Sequence, residues 1–291
     1  MENAASRLDV KATGRQQAGG YANEAFHDAE KDRWIVFSWL GSGLHGSVDC
    51  RNDVARVMPG CWWGAQSLPR VVSLQPDGRT VKFPVVPEIE ELLVGPGSSG
   101  GATVRMAGHN VVTLDNTSLV GPQSRVRVIA NISDISATDK QWSGAFGVDV
   151  LPRPFRSPCT ATAWESDKCL VTRVSVDRLS ANNGKPPVTL LKLQSIHPPG
   201  GQEGGVSLEV PYALAYTFDI WLDRGVVEVY GDGGAQVLVA KTGITSEPEP
   251  RALHAWATGS VNSTSEVAVQ VLTHPVKSAV FKSDPGPWNP S

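Results

Sequence analysis

The side chains able to do chemistry are spread thinly along this chain. Acids crowd at Glu88, Glu90 and Glu91, an arrangement that could divide general-acid from general-base work. Ile89, Leu92 and Leu93 are interleaved with them, so on a short helix the expectation is a solvated acidic face beside an apolar one. The six histidines are dispersed, and His27, His45 and His109 have no partner at metal-ligand spacing. Each is expected to be a solvated loop residue, and no metal is implied. The four cysteines, Cys50, Cys61, Cys159 and Cys169, lack C-x-x-C spacing, which argues against structural zinc. They are either free or semi-buried thiols, or Cys159 and Cys169 close a disulfide across a hairpin in an oxidising compartment. No G-x-S-x-G elbow, Walker loop, H-E-x-x-H or dinucleotide fingerprint occurs, so no cofactor is implied.

The elements that would hold these residues are strands. Short runs of period-two alternation cover 33–39, 125–131, 145–150, 170–176, 188–193, 216–222, 226–229, 236–239 and 266–272, and Gly, Pro, Asp and Asn clusters separate them. The pattern predicts an all-β sandwich or barrel-like domain, with one helical turn or two over 87–93. The clearest hairpin is 216–239: Phe218, Ile220 and Leu222 alternate with Asp219 and Trp221, then Val227 and Val229 alternate with Glu228 and Tyr230. Trp221 and Val227 are therefore expected on opposite faces of one sheet. Asp223 is expected to pair with Arg224 or a backbone amide, as a structural contact. The composition shifts near Pro84, from aromatic and glycine-rich to β-branched and small residues.

A net charge of -3 over 291 residues makes nucleic acid or an acidic membrane surface an unsuitable partner. The longest apolar runs are too short to span a bilayer. Residues 1–20 are polar without an apolar h-region, so no signal peptide is expected there. Glycosylation triplets begin at Asn116, Asn131 and Asn262, which fits a secreted parent.

A set of short motifs, taken in order, carries a resemblance. Tyr21-Ala22, Phe26 with Asp28, Arg33-Trp34-Ile35 and Ser38-Trp39-Leu40 come first, then Trp63-Gly64 and Ser67-Leu68-Pro69-Arg70. Gly78, Pro84-Val85 and Pro87-Glu88-Ile89 follow, then Val176-Asp177-Arg178, Leu222 to Tyr230, Ala255-Trp256 and Gly259-Ser260. In this order the motifs resemble the C-terminal portion of glycoside hydrolase family 32, the invertase, inulinase and levanase group, over about Tyr21 to Leu272. Gly20, Ser38 and Gly225 depart from the family's usual aromatic, glycine and serine at those places.

The resemblance implies a remnant of the last β-propeller blade followed by a C-terminal antiparallel β-sandwich. It divides the chain into a blade remnant at 1–66 with a disordered N-terminus, an inter-domain linker at 67–95, a sandwich at 96–275 and a tail at 276–291. It implies a parent that hydrolyses terminal fructose from sucrose or fructans with retention, secreted or vacuolar, able to form a homo-oligomer through the sandwich. A fructosyltransferase parent and a non-catalytic carbohydrate-binding or assembly module are the alternatives. Retention needs two carboxyl groups about 5–5.5 Å apart, which the family carries in asparagine-aspartate-proline and glutamate-cysteine motifs. Here Asn52-Asp53 precedes valine, Glu165 precedes serine, and Arg153 of the expected arginine-aspartate-proline motif has proline on both sides. No catalytic residue is therefore assigned. The resemblance assigns substrate contact to Tyr21 and Trp39, whose rings would wall a sugar pocket; packing within the blade is the competing expectation.

Overall fold

In the computed structural model the described residues are 20–40, 65–93, 100–107, 110–113, 123–133, 144–151, 171–179, 186–196, 204–223, 226–241, 252–259 and 266–276. Almost all are strand. The strands are β1 (Gly20–Asp28), β2 (Arg33–Leu40), β3 (Ala65–Gln66), β4 (Arg70–Val71), β5 (Ser73–Leu74), β6 (Val81–Lys82), β7 (Gly100–Ala107), β8 (Asn110–Thr113) and β9 (Gln123–Ser133). They continue with β10 (Gly144–Leu151), β11 (Val171–Leu179), β12 (Val188–Ile196), β13 (Gly204–Val210), β14 (Ala215–Asp223), β15 (Val226–Gly231), β16 (Gln236–Lys241), β17 (Ala252–Gly259) and β18 (Glu266–Pro275). A helix, α1 (Pro87–Leu93), stands where the sequence predicts it.

Two six-stranded antiparallel sheets form the sandwich. One runs β13-β12-β11-β10-β17-β8 and the other β16-β15-β14-β9-β18-β7. Alternation along each strand explains why they stack. From the first sheet come Phe146, Val148 and Val150 of β10, Val174 and Val176 of β11, and Leu253 and Ala255 of β17. From the second come Val126 and Val128 of β9, Phe218, Ile220 and Leu222 of β14, Val227 and Val229 of β15, and Val269 and Val271 of β18. Each such side chain, once fully buried, stabilises by about 1.5–3 kcal/mol.

The second sheet is apolar on both faces, so it needs a second cover. Trp221, Val226, Tyr230, Val237 and Val239 point away from the sandwich core and form another core with Val36 of β2 and Phe83 and Val85 of the 65–93 segment. Trp221 and Val227 thus lie on opposite faces, as the alternation predicts. A four-stranded sheet, in which β2 is flanked by β1, β3 and β4, and a β5-β6 hairpin supply the covering layer. The sheet reaches into the segment expected as linker, because β4 pairs with β2 and Arg70 bridges to Val85.

A tight turn at Asp232–Gly234 locks this layer down. The Phe83 amide donates to the Gly234 carbonyl at 2.8 Å. At φ +93° a Cβ on residue 234 would stand 2.6 Å from the Phe83 carbonyl carbon, so backbone approach and dihedral both require glycine. The turn predicted at 231–234 is therefore also a contact point for the covering layer. Trp221 is only 5% exposed at the centre of the second core. Trp221→Ala is expected to cost about 3–5 kcal/mol in a urea titration, whereas Leu74→Ser at an exposed site should shift the midpoint little.

Candidate functional site

The two residues assigned to substrate contact meet in one register. Tyr21 of β1 lies opposite Trp39 of β2, and a bulge between Tyr21 and Glu24 sets this pair apart from the regular ladder that follows. Alternation along β2 sends Val36 and Ser38 toward the sandwich and Ile35, Phe37 and Trp39 the other way. Phe26, opposite Ile35, stacks on Phe37 with ring centres 6.0 Å apart at 17°. Phe26 and Trp39 remain 49% and 38% exposed, so the layer's outer side carries an aromatic row. Part-exposed rings of this kind can pack on the apolar side of a sugar. Their position is fixed from behind.

Behind Trp39 lies a buried polar network. The Ser38 amide donates to Ser67 Oγ at 2.9 Å, and the Ser38 hydroxyl donates to Asn23 Oδ1 at 2.5 Å. Arg70, 3% exposed, donates to the Ser38 hydroxyl and, at 3.4 Å, to Ser67 Oγ. On the sandwich side of the same seam Glu228 accepts from the Leu68 amide at 2.6 Å and from the Tyr230 hydroxyl at 2.7 Å. Burial pushes the Glu228 carboxyl upward, against the Arg70 charge and the two hydrogen bonds, which pull it down. Burial, helped by the Glu228 charge, also raises the Tyr230 phenol well above its usual value.

A raised carboxyl pKa is what a general acid needs, but Glu228 does not meet the other requirements. It is 2% exposed and each oxygen is already held by a donor. Its chemistry is structural: it closes the junction between the covering layer and the sandwich.

An ion-pair clamp holds the other end of β2. Arg33 donates to Asp28 at 2.8 Å and through both terminal nitrogens to Glu88, which Lys31 also contacts. These bonds hold Glu88 down at about 2, with the Arg33 hydrogen bond the largest cause, and they lower Asp28 as well. Glu90 in turn accepts from Arg125 of β9 at 3.0 Å. The expectation of a purely solvated acidic face on α1 is corrected here. Glu88 grips the covering layer, Glu90 grips the sandwich, and Ile89 packs on the second core. Sequence reasoning had no access to this because the partners lie 55 and 35 residues away.

The outer face of the other sandwich sheet holds a cluster that the sequence did not single out. Asp149 accepts two bonds from Arg173, both 2.8 Å, and one from Trp256 Nε1 at 2.9 Å. The guanidinium also sits 4.2 Å from the Trp256 ring centre. The readable signal was an acid and an arginine each standing at an outward position of an alternating strand. His254 lies opposite Asp149 and is 1% exposed; burial lowers its imidazole pKa.

Other expected contacts sort as follows. His27 is a strand residue, not a loop one, and its Nε2 lies 3.0 Å from Asp32. Asp223 accepts from the side chain of Gln123 at 3.0 Å; Arg224 lies outside the described residues. So do His45, His109, Asn52-Asp53, Arg153, Trp164-Glu165 and all the cysteines. Among the described residues no group of His, Cys, Asp or Glu is placed to hold a metal ion, and no helix is long and apolar enough to cross a membrane.

A sandwich whose outer face is sealed by a smaller sheet, with aromatic rings on the far side of that sheet, defines the architectural class. Solved structures share the fold. Fructan 1-exohydrolase IIa from Cichorium intybus superposes with a TM-score of 0.61 at 15% identity, over 89% of this chain and 48% of that one. A fructosyltransferase from A. japonicus gives 0.57 at 14%, over 87% and 42%. At these identities the likeness establishes the fold. In sequence, a fructan 6-exohydrolase from Triticum aestivum is 33% identical over 123 residues, which is 41% of this chain and 18% of that protein. No protein-family profile matches. The chain is similar to the C-terminal portion of glycoside hydrolase family 32, as its motifs imply, and spans less than half of the relatives it matches.

Opposite pH responses follow from the two acids. Glu88 is depressed from 4.5 to about 2, so its stabilisation is present above pH 4.5 and is lost as pH falls toward 2. Glu88→Gln should therefore lower Tm at pH 7, with an effect that shrinks below pH 4.5 and is mostly gone at about pH 2. Glu228 is raised, so its contribution fades as pH rises through its folded value. Glu228→Gln keeps an acceptor for Leu68, and its Tm relative to wild type should climb from pH 4 to pH 8. Thermal melts across pH check both slopes.

Proposed function

We propose that this chain is the C-terminal portion of a family-32 β-fructofuranosidase-like glycosidase, with 20–40 and 65–71 forming part of its last propeller blade. The parent would release terminal fructose from sucrose or a fructan with retention of configuration. The carrying observation is the one-sided sealing of the small sheet. Its inner side is fastened to the sandwich by the second core and the Glu228 network, while its outer side shows Phe26 and Trp39 to solvent. Large exposed rings in a row mark a surface made to be covered or to bind. Neighbouring blades and a sugar pocket would do both. Tyr21 and Trp39, paired at the strand end, are the positions proposed to wall that pocket.

Catalysis by this route needs a nucleophile and a proton donor on opposite sides of the glycosidic bond. The sequence has neither in a recognisable motif, so the chain alone is proposed to be inactive. The test joins it to a propeller segment carrying the asparagine-aspartate-proline and glutamate-cysteine motifs. Fructose release from sucrose or inulin is expected from the joined protein and not from the 291-residue chain. Fructose release by the pure chain alone would overturn the proposal. In the joined protein Trp39→Ala should raise KM about tenfold, equal to about 1.4 kcal/mol of binding. Transfer to a second sucrose, rather than to water, would identify a fructosyltransferase parent, the function of the A. japonicus structural relative.

A further inference from the structure

One cavity of about 350 Å³ opens at an end of the sandwich, away from the aromatic row. Its floor is Val176, Leu191 and Phe218 and its side walls are Val210, Pro211 and Ala213, with Tyr216 beside them. Asp232 and Gln236 add polar side chains to the lining, and Thr217 of β14 completes it. An apolar cavity with a few convergent polar groups, in this size range, is the usual form of a small-molecule site.

The wall around the opening is built, not accidental. The Tyr216 hydroxyl accepts from the Ala213 amide at 2.8 Å and donates to the Pro211 carbonyl at 3.3 Å, which holds the 211–213 segment over the opening. Arg178, two residues beyond Val176 on β11, lies 3.8 Å beneath the ring centre of Tyr212, and that ring is 51% exposed. Asp232 adopts φ 46°, a left-handed conformation uncommon outside glycine. Such backbone strain is concentrated at functional positions.

We infer that this cavity is a carbohydrate-binding site separate from the pocket of the proposed fructosidase, taking one sugar unit of a neutral oligosaccharide. The lining selects that chemistry. A sugar ring has an apolar C–H side for Tyr216, Val210 and Pro211, and hydroxyls for the Asp232 carboxylate and the Gln236 amide. Asp232 lies 3.3 Å from Lys82, so the polar wall is nearly neutral and favours a polyol over a cation. Tyr212, between the lining residues Pro211 and Ala213 in sequence and half exposed, is the candidate platform for the next unit of the chain.

The experiment is saturation-transfer NMR and calorimetry on the full 291-residue chain, with a short inulin-type oligosaccharide, maltotriose and decanoate as probes. Binding of at least one saccharide is expected, with transfer from aromatic protons. Ala213→Trp, which fills the opening, should weaken it at least fivefold with Tm unchanged, and Asp232→Ala should weaken it as much while lowering Tm slightly, because it also opens the Lys82 pair and puts alanine at a positive φ. Trp39→Ala should leave it unaltered, which separates this site from the fructosidase pocket. Saccharide binding lost in Trp39→Ala and kept in Ala213→Trp would overturn the inference, as would binding of decanoate alone or of no probe. Because no step requires turnover, an inactive joined protein would leave this result intact.

Discussion

The outward face of the β16-β15-β14-β9-β18-β7 sheet is the constraint on which the structure turns. A sandwich normally buries one face of each sheet and leaves the other to water. Here β15 is buried at every position from Val226 to Gly231, so half of its side chains need a cover that the opposite sheet cannot give. The segment from Leu68 to Ile89 gives it, together with Val36. The apolar contacts supply the bulk of the attraction, which is non-directional. The hydrogen bonds of Glu228 supply the registration, since a buried carboxylate without its donors would be costly.

That division of labour explains why the charges fall where they do. Charged pairs ring the seam: Arg33 with Asp28 and Glu88, Arg125 with Glu90, Lys82 with Asp232. Pairs of this kind set geometry more than they add stability, because solvent screens them. Glu228 sits fully inside with Arg70 nearby, and its raised proton affinity records burial at a joint. Read without its surroundings, the same shift would suggest a catalytic acid. Accessibility decides between the two, and Glu228, 2% exposed with a donor on each oxygen, is closed to a substrate.

The sandwich was legible in the sequence because period-two alternation is local. Phe218, Ile220 and Leu222 state their face within five residues, and Trp221 and Tyr230 state the other. The seam was not legible, because its partners are far apart and chemically ordinary: an arginine in a Leu-Pro-Arg stretch, two serines and a glutamate inside Val-Val-Glu-Val-Tyr. A lone acid flanked by β-branched residues was the available hint of a buried carboxylate. The helix acids were visible, but the arginines that grip them were not. For Tyr21 and Trp39, the motif resemblance supplied the assignment, and strand pairing shows only that the two positions are opposite.

The Leu68 amide and Glu228 meet across 160 residues of chain. Closing so long a loop carries an entropic cost that nearer contacts must first offset, and topologies dominated by distant pairings assemble slowly. During synthesis the layer containing Trp39 therefore stays unsealed until β15 has emerged from the ribosome. Through that interval its aromatic side and strand edges are open to association with other chains. Chaperone demand would thus be set by the time taken to translate the sandwich.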